Sequence, residues 1–498
     1  MRARSCGRVL GLFVGFGAAL CAAIGAGCRA PERRQTREAS EEGPPNIVFV
    51  VTDDQAAWAL GVTGNEEAST PHLDQLARGG ARFTNSFVTT PVCSPSRVAL
   101  ITGRYGTEFD IPDFISGSAR GFARGLAPTA PAWPRVLRQT GYSTALIGKW
   151  HLGAADEFHP RHFGYQEFCG FRHGGRTSQN PVVEIDGVAK ERQGWTPDLL
   201  TDYAIDFIRR ERDGPFLVSL HFWAPHANGH NNAEGDRTWL PLSDADWTTV
   251  RSLDPALPEP QYPRLDTPRA KRMMREYLGS VASVDRNMGR LLKELEELGI
   301  GERTVVIFTS DHGFNMGHHG LWHKGNGRWL LEHERGSRPN LFDTSLRVPT
   351  VVRWPHVVTG GTVVTDTISQ LDWYPTLLAI AGVAPEGETR GRSLVPLLRG
   401  EKVSSSHELF VQYSMRHATH ADLRGYRTPE WKLVRDFLRP GQDELYDLRS
   451  DPGETRNLIG SSDTVVLRQR EALHAKLIES MRNIDDPLLA VVPGEPVR

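Results

Sequence analysis

Apolar positions along the chain fall into two rhythms. Residues 47–51, 143–147, 216–222, 304–308 and 348–352 form short, largely apolar runs rich in Val, Ile and Phe, the composition of strands covered on both faces. Between them, residues 70–77, 131–139, 199–210, 271–298 and 368–381 repeat apolar side chains every three to four positions, as one face of a helix does. Residues 96–101 start another helix. Pro71 suits a first helical turn, and Gly299 ends the long helix. This alternation predicts an α/β fold, a large mixed, mostly parallel sheet sandwiched by helices. Such sheets hold ligands just past the carboxyl ends of their strands. Asp53, Asp54, Lys149, His151, His226 and Asp311 all stand at such ends.

After about residue 400 the rhythm changes. Residues 409–412, 431–434 and 445–447 read as short strands with turns between them, and 465–480 as a closing amphipathic helix. These predict a small C-terminal α+β subdomain over 401–498, behind a principal α/β domain over 46–400. Residues 155–197 and 228–266 are polar, rich in Gly and Pro, and weakly periodic, which predicts long functional or mobile loops.

The first residues have a different character. Arg2, Arg4 and Arg8 precede an apolar stretch over 9–24, and Gly25, Ala26 and Gly27 then precede Cys28. This is the pattern of an export leader over 1–28, too short for a membrane span. Small residues before a cysteine resemble a bacterial lipoprotein processing site, with Gly25 where a larger aliphatic residue is usual. Lipid attachment at Cys28, plain leader cleavage and an uncleaved anchor are the open alternatives. Residues 29–45 read as a flexible tether. The expected location is the periplasm or cell envelope, with membrane attachment through the N-terminus if Cys28 is lipidated.

Charge and cysteine content narrow the partners. The 498 residues carry a formal net charge of -2, which offers no general attraction to nucleic acid or anionic membranes. Of five cysteines, three lie in the leader, leaving Cys93 and Cys169. That is no disulfide scaffold, although one bridge between these two remains open.

The sharpest chemical signal is Cys93-Ser94-Pro95-Ser96-Arg97, followed by Thr102-Gly103-Arg104. Ser94 is a plausible N-cap and Pro95 a first helical residue. Cys93 then sits just ahead of a helix N-terminus, where backbone donors favour negative charge. Arg97, four residues on, returns to the same face. Alone, this describes a capped helix with an acidic thiol. Asp53-Asp54 and Asp311-His312 follow two strands, and each pair alone is more often a turn or cap than a metal site. Together they bring three carboxylates and an imidazole to one place, where a cation would remove the cost of burial. The basic groups are Lys149 and His151 in Gly148-Lys149-Trp150-His151-Leu152-Gly153, His226 in Ala224-Pro225-His226, and Lys324 in His323-Lys324-Gly325-Asn326. Each by itself reads as a solvated or structural group. His318, His319 and His323 could bind substrate or pack.

The complete string C-S-P-S-R…T-G-R resembles the signature of formylglycine-dependent (type I) sulfatases, members of the alkaline phosphatase superfamily. Thr70-Pro71-His72-Leu73-Asp74-Gln75-Leu76-Ala77 resembles a helix of that family, with His72 where Asn is usual. Glu444-Leu445-Tyr446-Asp447-Leu448 through Asn457-Leu458 resembles its C-terminal segment. The resemblance covers residues 46–458 and implies an alkaline phosphatase-like fold.

The resemblance implies that a maturation enzyme oxidises Cys93 to formylglycine (3-oxoalanine). Asp53, Asp54, Asp311, His312 and the modified Cys93 would hold a divalent cation. Oxygen ligands suit Ca²⁺ or Mg²⁺, while His312, where many relatives have Asn, also suits transition metals. The hydrated aldehyde, a geminal diol, would attack the sulfur of a sulfated small molecule or glycan, with Lys149 and Lys324 stabilising charge. His226 would protonate the leaving oxygen. His151 would be the base that lets the second hydroxyl expel sulfate, and Arg97 would hold the diol. Two rivals follow: a phosphodiesterase or phosphonate monoester hydrolase of the same superfamily, and a silent carbohydrate-binding protein if Cys93 stays a thiol.

Overall fold

A computed structural model describes residues 43–491 apart from 176, 186, 386, 388 and 404–407. The leader, with Cys28 and most of the tether, lies outside the described residues. Ten strands make the main sheet. They are β1 (Asn46–Thr52), β2 (Ala81–Phe87), β3 (Ser143–Lys149), β4 (Glu167–Phe171), β5 (Val182–Ile185), β6 (Val188–Glu191), β7 (Phe216–His221), β8 (Thr304–Ser310) and, after a small three-stranded sheet, two more. That small sheet comprises β9 (Asn315–Met316), β10 (Leu321–His323) and β11 (Arg328–Trp329), and β12 (Thr350–Arg353) and β13 (Thr362–Ser369) complete the main one. The main order is β13-β2-β12-β8-β1-β7-β3-β4-β5-β6. The centre, β8-β1-β7-β3-β4, is parallel. β12 runs antiparallel to both its neighbours, as do β5 and β6 at the far edge.

Every residue of β1 is buried, and alternate side chains feed two cores, as the two-residue period of a strand requires. Ile47, Phe49 and Val51 pack with Trp133 and Leu137 of the helix Trp133–Gln139, and with Leu377 of the helix Trp373–Ile380. Val48 and Val50 pack with Leu200 and Ala204 of the helix Thr196–Glu211, and with Met288 and Leu291 of the helix Thr267–Glu297. Helices therefore cover both faces, as expected for the α/β sandwich.

β14 (Leu409–Met415), β15 (Ala421–Arg427), β16 (Trp431–Asp436) and β17 (Glu444–Asp447) form a separate antiparallel sheet, backed by the helix Thr464–Asn483. Val411, Tyr413 and Leu423 of that sheet share a core with Phe87, Val88 and Val92. The described residues from Pro44 onward make one compact unit.

Several sequence expectations need correction. The stretch 155–197 is no continuous loop, because it contains β4, β5 and β6. β6 is exposed at all four residues, so no apolar run marks it. β2, β13 and β15 carry too many polar residues to stand out. Ile368 belongs to edge strand β13 rather than to the helix read over 368–381, which begins at Trp373.

Candidate active site

Strand ends and one helix converge on a single point. β1 delivers Asp53 and Asp54, β8 delivers Asp311 and His312, and β3 ends on Lys149 with His151 just beyond. The helix Cys93–Thr102 points its N-terminus at the same place. Its start corrects the sequence reading: Val92 is the N-cap residue and Cys93 the first helical one. The Ser94 hydroxyl instead accepts the Ile115 N–H at 3.0 Å. Asp54 and His151 adopt left-handed backbone, φ 69° and 59°. That strain is uncommon in non-glycine residues and collects at functional sites.

The side chains form a buried cage. Asp53, Asp54, Asp311 and His312 are at most 1 % exposed. Donor atoms of Asp53, Cys93, Asp311 and His312 all lie within 4.8 Å of one another, and Asp54 joins Asp53 and His226 in a second such set. His312 Nε2 lies 3.2 Å from Asp311 Oδ1, 3.3 Å from Asp54 Oδ1 and 3.7 Å from Asp53 Oδ1. Its other nitrogen, Nδ1, donates to the Gly313 carbonyl at 3.1 Å, so Nε2 presents a lone pair to three carboxylates. Lys324 Nζ, 3.2 Å from Nε2, supplies one positive charge to these acceptors, and a bound cation would supply more. Four donor groups at the spacing of one ion fit a divalent cation.

Cations of the chain line the same cage. Lys149 Nζ is hydrogen-bonded to Asp53. Lys324 Nζ reaches Asp54 Oδ1 at 2.6 Å and Cys93 Sγ at 3.0 Å. Burial would raise the Cys93 thiol, but Lys149 and Lys324 outweigh it and hold the thiol well below its ordinary range. The same contest puts the Asp53 carboxyl at about 2, because Lys149 overcomes burial. Burial opposes the Lys324 ammonium, yet Asp54 beside it keeps it charged well above the ordinary range.

The remaining predicted residues take distinct places. His151 Nε2 donates to the Ile115 carbonyl at 2.9 Å, which leaves Nδ1 without a hydrogen bond. Burial, then Lys149, depress this imidazole to about 4, so it is neutral at neutral pH. His226 Nδ1 donates to the Ala227 carbonyl at 2.7 Å, and Nε2 stands 3.7 Å from Asp54 Oδ2. Arg97 lies behind the cage: it grips Asp311 at 2.9–3.0 Å and donates to the Lys149 carbonyl. No disulfide joins Cys93 and Cys169, so that alternative is closed. His318 packs near Trp58, ring centroids 5.5 Å apart, and His319 stacks on Phe342 at 3.7 Å.

A cavity of about 560 Å³ opens onto Cys93, Lys149, His151, His226, His323 and Lys324. A larger groove of about 800 Å³, walled by Trp58, Met274 and Arg347, holds none of the clustered groups. Sequence reasoning missed four residues on the active-site wall: His417, Asn326, Arg237 and Arg328. His417 hydrogen-bonds Asp113 at 2.8 Å and Asn326 at 3.2 Å, and Asn326 accepts from His323 at 2.5 Å. The chain of contacts joins the β14–β15 hairpin to the segment after β10. Only Asn326 carried a signal, its place in the Lys324-Gly325-Asn326 string.

A buried carboxylate cage beside an acidic thiol and two lysines, at the mouth of a parallel sheet, defines a hydrolase for an anionic ester. The comparisons say which. The family profile "Sulfatase" matches residues 45–383, and "N-sulphoglucosamine sulphohydrolase, C-terminal" matches 332–483. The chain belongs to the sulfatase family and is a sulfuric ester hydrolase. It is 32% identical to arylsulfatase A of Homo sapiens, over 84% of this chain and 84% of that protein. It is 27% identical to N-acetylglucosamine-6-O-sulfatase of Bacteroides thetaiotaomicron, over 93% of this chain and 89% of that one. A protein solved in complex with its substrate D-glucosamine-2-N,6-O-disulfate superposes with a TM-score of 0.76 at 24% identity, over 89% of this chain and 99% of that one.

Proposed function

We propose that this enzyme is an exported sulfatase of sulfated carbohydrates, with formylglycine at position 93 and a Ca²⁺ or Mg²⁺ ion held by Asp53, Asp54, Asp311, His312 and the modified residue 93. The observation that carries the reading is the position of Cys93, at the cavity floor between Lys324 and the carboxylate cage. When present, the formylglycine supplies the nucleophile and the cation a fixed positive charge against the sulfuryl oxygens.

The chain's own groups do the rest. Lys149 and Lys324 present ammonium charge where the sulfate oxygens gather negative charge. His151, with Nε2 committed to the Ile115 carbonyl, offers Nδ1 as proton acceptor beside residue 93. His226, with Nδ1 committed to the Ala227 carbonyl, has Nε2 to pass a proton to the leaving oxygen. Arg97 fixes Asp311 and the backbone of Lys149, a positioning role.

The carbohydrate class is supported by the name of the N-acetylglucosamine-6-O-sulfatase relative. It is also supported by a cavity that can hold a sugar ring. We assign catalysis to residues 46–400 and read 401–498 as a subdomain that closes one cavity wall through His417. Export rests on the leader over 1–28. No helix among the described residues is long and apolar enough to cross a membrane; attachment, if any, is assigned to the leader, as an uncleaved anchor or through a lipid on Cys28.

The test has two parts. Peptide mass spectrometry of protein from its native host should find residue 93 as formylglycine, made by a maturation enzyme. Sulfate release should be fastest in a panel of sulfated mono- and oligosaccharides. An intact thiol at full activity, or a preference for phosphodiesters, would remove the reading. Fatty-acid labelling of full-length protein decides the anchor.

A further inference from the structure

Among the described residues, the wall of the active-site cavity carries no Asp or Glu side chain. Of those residues, Lys149, Lys324, Arg237 and Arg328 are cationic. The two lysines are matched, Lys149 by Asp53 and Lys324 by Asp54. The two arginines are not. Arg237 donates to the Asn228 carbonyl at 3.2 Å, a neutral partner. Among the described residues Arg328 has no side-chain partner at all. The carboxylate next in sequence, Asp236, is already engaged by Arg269 at 3.0 Å and Arg272 at 3.3 Å.

Arg328 is lowered from its ordinary value by partial burial and then by the charge of Arg237. They come from separate elements: Arg237 from the loop after β7, and Arg328 from the start of β11. The fold thus brings two like charges to one concave wall without an acid to balance them. Both side chains are exposed to solvent, so both are free to engage a ligand that supplies negative charge. Guanidinium forks suit planar or tetrahedral oxyanions, which they bind through paired hydrogen bonds.

We propose that Arg237 and Arg328 form a second anion subsite, so that the preferred substrate is a sugar bearing a further sulfate or carboxylate beside the sulfate that is cleaved. This rests on the sulfatase reading above and adds a substrate class to it. A neutral sugar with a single sulfate satisfies the lysine cage and leaves the arginine pair uncompensated.

The experiment measures calorimetric binding to full-length protein carrying Cys93→Ala, which needs no turnover. The ligands are N-acetylglucosamine 6-sulfate, D-glucosamine 2-N,6-O-disulfate and a sulfated hexuronic acid. We expect the Cys93→Ala protein to prefer one doubly charged sugar over the singly charged one by at least about tenfold. Arg237→Gln and Arg328→Gln should each cut that preference several-fold, the double variant should abolish it, and Arg→Lys should keep part of it. Whether the disulfate or the uronate is preferred identifies the second group. Equal affinity for all three sugars, or a preference untouched in the double variant, overturns the subsite. Binding with the expected preference, but no sulfate release from any sugar by unmutated protein, would overturn the sulfatase reading and leave the subsite standing.

Discussion

Two buried clusters of charge invite comparison. One is the cage at the carboxyl end of the main sheet. The other joins the small C-terminal sheet to the rest of the chain: Arg427 and Lys432 bind Asp343, and Lys432 also reaches Glu454 at 2.6 Å. Glu454 in turn accepts the Asp343 N–H. In this second cluster two acids are held by Arg427 and Lys432, with Arg347 adding a longer contact to Asp343 at 3.4 Å. In the cage, His312 Nε2 faces three carboxylate oxygens, His151 Nδ1 has no partner, and a thiol is held acidic. Burial of charge is common to both. A thiol held acidic beside an unpaired imidazole nitrogen belongs only to the first. That difference, rather than the number of ionised groups, separates a reactive site from a structural one.

The largest effect should fall on Cys93. Cys93→Ala should reduce sulfate release by at least about 10⁴-fold. Cys93→Ser should give at most a single turnover without steady release, because an ester on an ordinary serine needs attack by water. A free-sulfate assay with burst analysis separates the two, and steady turnover by either variant breaks the comparison. Next comes the cation. Prolonged chelation should abolish activity and raise sensitivity to heat, and Ca²⁺ or Mg²⁺ should restore both. Undiminished activity in chelated protein shown to be metal-free would leave the three carboxylates without the partner argued for them.

His226→Ala should lower kcat on a sugar sulfate by about 10²-fold. It should cost much less on 4-nitrophenyl sulfate, whose leaving group needs no proton. Equal losses on both would move the general acid elsewhere. The structural cluster should answer differently. Lys432→Ala leaves two buried carboxylates short of a partner and should cost about 3 to 5 kcal/mol of stability, read by urea unfolding. The activity of the folded fraction should be far less affected than in any cage variant.

The smallest effect is a pH slope. Asp285, buried, accepts the backbone N–H groups of His72 and Leu73 at the start of the helix Pro71–Arg78. Burial pushes its carboxyl up to about 6 from the ordinary 3.8. Between those values the native state keeps a proton that the unfolded chain has lost, so raising the pH from about 4 to 6 favours unfolding. Asp285→Asn should flatten that decline by at most about 1.4 kcal/mol per pH unit. An unchanged slope would mean the carboxyl is already ionised in the native state.

The amino-acid sequence determined the alternation of strands and helices, and with it the carboxylates, lysines and histidines at the strand ends. Those signals are local: an apolar run such as residues 47–51, then Asp53-Asp54 directly after it, needs nothing else in the chain to be read. The start of the helix at Cys93 escaped because Ser94 looked like its cap, and only the fold shows that hydroxyl committed to Ile115. Edge strands such as β6 escaped because an exposed strand needs no apolar stripe.

What tertiary structure alone decided is which distant groups meet. Asp113 and His417 are 304 residues apart yet hydrogen-bonded. Arg237 and Arg328 share one wall only because the loop after β7 and strand β11 close on the same cavity. Arg97 pairs with Asp311, 214 positions away, because both are buried and each satisfies the other's charge. Local pattern fixes which side chains leave a strand and where. Partnership between elements is settled by packing, and the cavity wall is made of such partnerships.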